Sequence, residues 1–342
     1  MKFLNKIKKL TLKRIWELSR EIFILGFLRN TWLYYYLYKS YWYSLKTFKI
    51  NNKKKNKNYL SINVDSGAGI GHQLANYNAG IWYSKKFKLF HAHTPFPNDK
   101  WEKTLGFKHS IINTKDILNK NYKIIKLPLF NEKNLIEISK IKKIIHSYSS
   151  QKVIFFLETN QPYKNQYEVT DYLKKNFFLS KERKEDIIMF DDQDVNIAVH
   201  IRLPMIIEDV IKRYNDADYK LNIINQSFNM LESFLNKFQT KKKISIYIFT
   251  QFYDSDLKIF NKFSKVNYCY KISPYKSFIN FIYADVLITS KSSFSYKAAL
   301  ISRGIKVSPS NFWHGYPRED KKWFLVNNDG KFKKNIKKIV IK

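Results

Sequence analysis

Three short stretches of this chain carry side chains suited to an anionic ligand. The first is Val195 to Arg202 (Val-Asn-Ile-Ala-Val-His-Ile-Arg), an apolar run that ends in His200 and Arg202. Two residues apart in an extended chain, these side chains point to one face. Arginine presents a planar fork of donors that suits a phosphate and stays charged when partly buried. The same stretch also reads as an edge strand whose Arg202 pairs with Asp191, Asp192 or Asp194. The second stretch is Asp65-Ser-Gly-Ala-Gly-Ile-Gly-His-Gln, where Gly67, Gly69 and Gly71 precede His72 and Gln73. It follows an apolar run and leads into a helical pattern, the order in which backbone N–H groups and a positive helix end meet a phosphate or a sugar. The spacing is neither that of a dinucleotide fold nor that of a P-loop, and a tight turn alone would also need glycine. The third is Ser290-Lys-Ser-Ser-Phe-Ser, where Ser292 and Ser293 open a helix. They serve either as N-caps or, with Arg202, as a pyrophosphate pocket.

The elements around these stretches alternate. Tyr59 to Val64 reads as a strand and Gln73 to Lys86 as the helix after the glycine loop. Segments from Ile111 to Leu129 continue the alternation, Lys152 to Leu157 is another apolar strand, and a polar helix spans about Val169 to Phe178. Tyr219 to Phe238 places Leu221, Ile224, Phe228, Leu231, Leu235 and Phe238 at intervals of three and four, which predicts an amphipathic helix. Strands follow at Ile244 to Thr250, ahead of Gln251, at Ala284 to Thr289, and at Lys306 to Ser308, with helices at Phe278 to Tyr283 and Tyr296 to Ser302. This β-α-β order demands a parallel sheet with right-handed crossovers. Ligands in such sheets sit at the carboxyl ends of the strands, where His200, Arg202, Thr250, Gln251, Ser290, Ser292 and Ser293 all stand. His91 and His93 could begin a metal site, but no third ligand stands at a suitable spacing, which favours an ordinary loop.

The 342 residues suffice for two domains, and the 44% hydrophobic and 17% aromatic content fills a core in each. A net charge of +34 points to an anionic partner. The single Cys269 rules out internal disulfides and Cys-based zinc sites and fits a reducing cytosol. Residues 1–57 carry 15 Lys or Arg against Glu17 and Glu21, interleaved with many Trp and Tyr. Their longest apolar run is too short to span a bilayer, so this basic, aromatic segment is expected either on an anionic membrane surface at the cytoplasmic face or, as an ordinary amphipathic helix, packed on the domain, with Lys53 to Lys57 as a linker.

Motif order and spacing resemble the fucosyltransferase superfamily, above all the bacterial α-1,2-fucosyltransferases. Gly69-Ile-Gly-His-Gln73 is similar to their Gly-x-Gly-Asn-Gln loop, Val199-His-Ile-Arg202 matches part of a His-x-Arg-Arg-x-Asp motif, and Ser290-Lys-Ser-Ser-Phe-Ser295 matches Ser-x-Ser-Ser-Phe-Ser in full. The resemblance spans residues 58–325 and implies an α/β, GT-B-like architecture of two Rossmann-like domains facing a cleft. Residues 58–190 would form the acceptor domain and residues 191–342 the nucleotide-sugar domain. It also implies inverting, metal-independent transfer of a sugar, fucose from GDP-fucose in the family, to a hydroxyl of a glycan or lipid-linked saccharide in surface polysaccharide synthesis, with no cofactor beyond the donor. Carried over, Arg202 neutralises the departing phosphate, and His200 contacts the nucleotide. Asp285 holds the base or ribose. Ser290, Ser292, Ser293, Phe294 and Gln251 serve the donor, and Gly69, Gly71, His72 and Gln73 line the cleft from the other domain. Two departures stand out: Leu203 replaces the second Arg, and the motif's Asp is absent, leaving Glu208 and Asp209 as candidates for the general base. The rival readings are a metal-dependent GT-A enzyme using Asp192 and Asp194, and a nucleic-acid-binding protein exploiting the net charge.

Overall fold

The computed structural model describes residues 27–47, 56–107, 111–159, 161–203, 217–336 and 338–341. The basic helical pattern ahead of residue 27, much of the linker, and the base candidates Glu208 and Asp209 lie outside the described residues.

Strands β1 (Tyr59–Ile62), β2 (Phe90–His91), β3 (Lys123–Lys126) and β4 (Val153–Leu157) form a parallel sheet in the order β2-β1-β4-β3. Strands β5 (Val195–His200), β7 (Ile244–Phe249), β8 (Val266–Cys269), β9 (Val286–Ile288), β10 (Ile305–Pro309) and β11 (Trp323–Val326) form a second parallel sheet in the order β11-β10-β9-β5-β7-β8. A small parallel pair joins β6 (Phe238–Gln239) to β12 (Ile339–Val340). The expected α/β architecture of two parallel-sheet units is thus present. Every residue of β4 and β5 is buried, as expected of strands covered on both faces. Because β5 lies between β9 and β7, it is a central strand, and the edge-strand reading of Val195 to Arg202 is set aside.

Both sheets reverse their winding. Chain order runs outward from β5 to β7 and β8, then returns through β9 to β10 and β11 on the other side, so the switch point lies between β5 and β9. In the first sheet it lies between β1 and β4, and β1 feeds the glycine loop. The helix after this loop spans Ile70–Lys86, and the helix after β9 spans Ser293–Ile301, three residues earlier than its apolar pattern begins. The helix Leu135–Ser147 and strands β8 and β11 add to the expected alternation.

One core joins the two units. Ile70, Leu74, Tyr77 and Trp101 of the first share a cluster with Phe249, Phe278, Phe281, Leu287 and Ala298 of the second. The two units approach closely at Gly71, where an added Cβ would stand 2.8 Å from Phe294 N and from Ser293 C and Cβ. The starts of the two cleft helices therefore touch through a glycine. By contrast, a Cβ on Gly69 would meet nothing within 4 Å, and that residue's φ of −67° suits any side chain. Replacing Gly71 by Ala is expected to cost about 1–3 kcal/mol of stability, because backbone must move to admit a methyl. Gly69→Ala should stay within about 0.5 kcal/mol of wild type. Urea midpoints of the two variants decide this, and equal midpoints would refute the contact.

Candidate active site

A cavity of about 570 Å³ opens where the two switch points meet, within the usual range for a small-molecule site. Gly69, Ile70, Gly71, His72 and Trp101 line it from one unit, and His200, Arg202, Gln251, Lys291, Ser292, Ser293 and Phe294 line it from the other. No carboxylate is among the described residues that line it. Neither cleft helix has an acidic residue in its first turn, so both positive ends stand uncompensated by their own sequence. The first-turn N–H groups of a helix lack intrahelical partners. Here Ser292 Oγ accepts from Phe294 N at 3.3 Å, while Gly69 caps the other helix without a side chain.

His200 and Arg202 leave the end of β5 in different electrostatic states. His200 is buried, its Nδ1 lies 2.8 Å from Ser290 Oγ, and Phe281 and Phe294 flank the ring. Burial, with a smaller contribution from the Arg202 charge, pushes its pKa down to about 3, so the imidazole is neutral at ordinary pH. Arg202 is exposed to the cavity. The protein around its guanidinium lowers the pKa from 12.5, yet an arginine remains charged. Asp191 and Asp194, which might have neutralised it, lie at the amino end of β5 and pair there with Lys265. Gln251 holds the exit of the strand: its Oε1 accepts from Leu203 N at 3.2 Å and its Nε2 donates to Leu203 O at 3.3 Å.

Several sequence expectations are corrected. Asp285 precedes β9 and so sits at the amino end of the sheet, away from the cleft, where its Oδ2 accepts from Asn196 N at 2.8 Å. Its role is to tie two strands together. Asp194 likewise precedes β5; it is buried and bonded to Lys265 Nζ and to Ser245 Oγ, the latter at 2.6 Å. The hydrogen bond from Lys265 is the main reason its carboxyl pKa is lowered. This disposes of an Asp192 and Asp194 metal site at the cleft. Gln73 is buried outside the cavity lining and donates to Ala68 O at 2.7 Å, bracing the glycine loop. Ser290 meets His200 and faces an adjoining cavity that shares Arg202 and Lys291. His93 is paired with Glu102, its Nε2 2.9 Å from both carboxylate oxygens, and no group of three or more potential metal ligands occurs among the described residues.

The sequence reading missed Lys291, Trp101 and Lys297. Lys291 lines both cavities beside Arg202, where the resemblance led one to seek a second arginine at position 203. Leu203 is fully buried. The lysine's signal was its place between Ser290 and Ser292 at a strand-to-helix turn. Lys297, one turn into the Ser293–Ile301 helix, is buried and donates to Gln166 Oε1 at 2.7 Å. Burial holds its pKa well below 10.5. Beside it, His314 stacks on Tyr296 with ring centroids 5.0 Å apart and is pushed down to about 2, first by burial and then by Lys297 and His72. Trp313 faces His72 across the cleft, centroids 6.5 Å apart.

No family model and no curated protein matches the chain. Solved structures do. Fucosyltransferase NodZ from Bradyrhizobium is similar at 12% identity and a TM-score of 0.41, covering 73% of this chain and 94% of NodZ. A mutant of Arabidopsis thaliana FUT1 in complex with GDP is similar at 12% identity and a TM-score of 0.46, covering 78% and 74%. A glycosyl transferase family 9 protein from Veillonella parvula is similar at 10% identity and a TM-score of 0.39, covering 81% and 88%. At such identities the likeness concerns the fold alone.

The neutral state of His200 has a thermodynamic consequence. Folded, it takes up a proton only near pH 3, whereas unfolded it does so below about pH 6.5. Its contribution to stability is therefore complete above pH 6.5 and is lost as the pH falls towards 3, by up to about 1.4 kcal/mol per pH unit. Urea unfolding across this range should show a shallower pH dependence in His200→Asn than in wild type, by about one proton. An unchanged slope would mean that His200 is accessible to protons in the folded chain.

Proposed function

We propose that the chain is a glycosyltransferase that binds a nucleotide-diphosphate sugar in the cleft between its two units and transfers the sugar, with inversion, to an acceptor hydroxyl. The observation that carries this reading is the convergence of two uncompensated helix starts, joined at Gly71 and Ser293, with the exposed Arg202 and Lys291 in one cavity that no described carboxylate lines. That is a site for a diphosphate. The glycine loop, the His-x-Arg strand end and the Ser-x-Ser-Ser-Phe-Ser turn meet there in the order that resembles fucosyltransferases, which makes GDP-fucose the first donor to try.

In this mechanism the donor's diphosphate lies against the first turn of Ser293–Ile301, with Ser292 and Ser293 beside it. As the bond between the anomeric carbon and the phosphate oxygen breaks, negative charge grows on the leaving diphosphate. Arg202 and Lys291 stabilise it where it appears, a contribution of charge that needs no divalent ion. The neutral His200, fixed by Ser290, adds no competing charge and braces the strand end through which Arg202 is presented. The acceptor hydroxyl attacks from the opposite side and gives up its proton. Glu208 and Asp209 remain candidates for receiving it. Among the described cleft residues His72, exposed on the first turn of the opposing helix, offers the solvent-accessible imidazole for that step. Acceptor classes consistent with the family resemblance are glycans and lipid-linked saccharides.

Thermal-shift screening against GDP-, UDP-, dTDP- and CMP-linked sugars should show stabilisation by one donor, worth about 2.7 kcal/mol at a hundred times its dissociation constant. Failure of every donor would refute the proposal. With that donor, Arg202→Ala should lower kcat by about 10²–10³, equivalent to about 2.7–4 kcal/mol of barrier, with the unfolding midpoint unchanged. Addition of EDTA should leave turnover intact. Wild-type turnover in the variant, or abolition by EDTA, would overturn the assigned chemistry.

A further inference from the structure

The segment Phe27 to Thr47 has two faces of different character. Its inner face is fastened to the first unit by tyrosines. Tyr34 OH accepts from Leu129 N at 2.8 Å, Tyr38 OH donates to Glu158 at 3.1 Å, and Tyr35 OH donates to Glu137 at 3.3 Å. Arg29 also bonds Glu137, at 3.0 Å, and Tyr43 stacks on Tyr148 with centroids 4.3 Å apart. Burial raises the pKa of Tyr34, Tyr35 and Tyr38, so these phenols stay neutral and act as fixed pegs. The attachment is specific and extensive, so the outer face is presented by a rigid body.

That outer face is apolar. Trp32 is 73% exposed, Leu37 49%, Trp42 47% and Leu45 51%, with Leu33 and Tyr36 exposed among them. The aromatic members form one patch: Tyr36 lies 5.7 Å from Trp32 and 5.1 Å from Trp42, centroid to centroid, and Trp42 Nε1 donates to Tyr36 O at 2.8 Å. Leaving several large side chains in water together is unusual for a soluble surface and marks a contact site. Lys39 and Lys46 are exposed on the same short helix, Lys39–Lys46, and the first 57 residues carry 15 Lys or Arg against two Glu.

We propose that this face is a docking surface for an anionic lipid bilayer. Indole and phenol rings pair an apolar body with a polar edge and favour the boundary between headgroups and acyl chains. Leu33, Leu37 and Leu45 supply the part that enters the acyl region, and the surrounding lysines meet the negative headgroups. A polynucleotide would match the lysines but not the leucines. No described helix is long and apolar enough to cross a membrane. Since Phe27 to Thr47 is bonded to the unit that carries the glycine loop, docking fixes that unit's orientation to the bilayer.

Sedimentation of the full chain with vesicles of phosphatidylcholine alone, and of phosphatidylcholine mixed equally with phosphatidylglycerol, tests this. Wild type should bind the anionic vesicles and bind the neutral ones weakly. Trp32→Ser, Leu37→Ser and Trp42→Ser combined should weaken the anionic binding by about tenfold or more, while the unfolding midpoint and the response to donor stay as in wild type. Unchanged vesicle binding in the triple variant would overturn the proposal. So would light scattering that finds a wild-type dimer converted to a monomer by the same changes, which would make the patch an interface between two copies, or loss of oligonucleotide binding in place of lipid binding.

Discussion

The contact between Gly71 and the backbone of Ser293 and Phe294 sets the geometry on which the cleft depends. Two helix starts repel each other electrostatically, since each carries partial positive charge at its free N–H groups. Holding them together requires packing strong enough to offset that repulsion. The shared core below, from Ile70 and Leu74 to Phe278, Phe281 and Leu287, supplies it. Absence of a side chain at Gly71 lets the backbones meet. An anion entering there would relieve that repulsion, which a neutral ligand would not.

Charge around this point is sorted by burial. Three basic groups, His200, His314 and Lys297, are held towards neutrality by desolvation, while Arg202 and Lys291 keep their access to solvent. The distinction is physical: imidazole and ammonium groups give up a proton when desolvation penalises the charged form, and guanidinium does not. The carboxylates just ahead of β5, Asp191 and Asp194, stand at the other end of the sheet, where they pair with Lys265. Among the described residues, a cleft lined by cations and by no carboxylate results from where the strands begin and end.

Much of this was legible in the sequence. β5 was visible because both faces of a central parallel strand are buried, which leaves an unbroken apolar run, and Ser290 to Ser295 because a strand followed by hydroxyls is how a helix start is written. The misplaced residues share one cause. Asp285 and Asp194 each stand immediately before a strand, and in a parallel sheet that position faces away from the ligand end. Gln73 fell outside the cavity for a different reason: its amide turns back to Ala68 O and braces the glycine loop from within. The tie between the units could not be read at all, because it depends on the clearance at Gly71.

Leu203 shows how a departure from a motif can be answered elsewhere in the fold. Its backbone is clamped on both sides by Gln251 and its side chain is buried, so an arginine there would have to displace core. The cation that shares the two cavities with Arg202 comes instead from Lys291, across the switch point at the end of β9. A lysine on the turn reaches the space a diphosphate would occupy from a different strand, with a point charge in place of a bidentate fork. It neutralises charge as well as an arginine but fixes orientation less. Under the proposed function, selectivity for one sugar nucleotide would rest more on the walls, where Trp101, Phe281 and Trp313 stand, than on the cations.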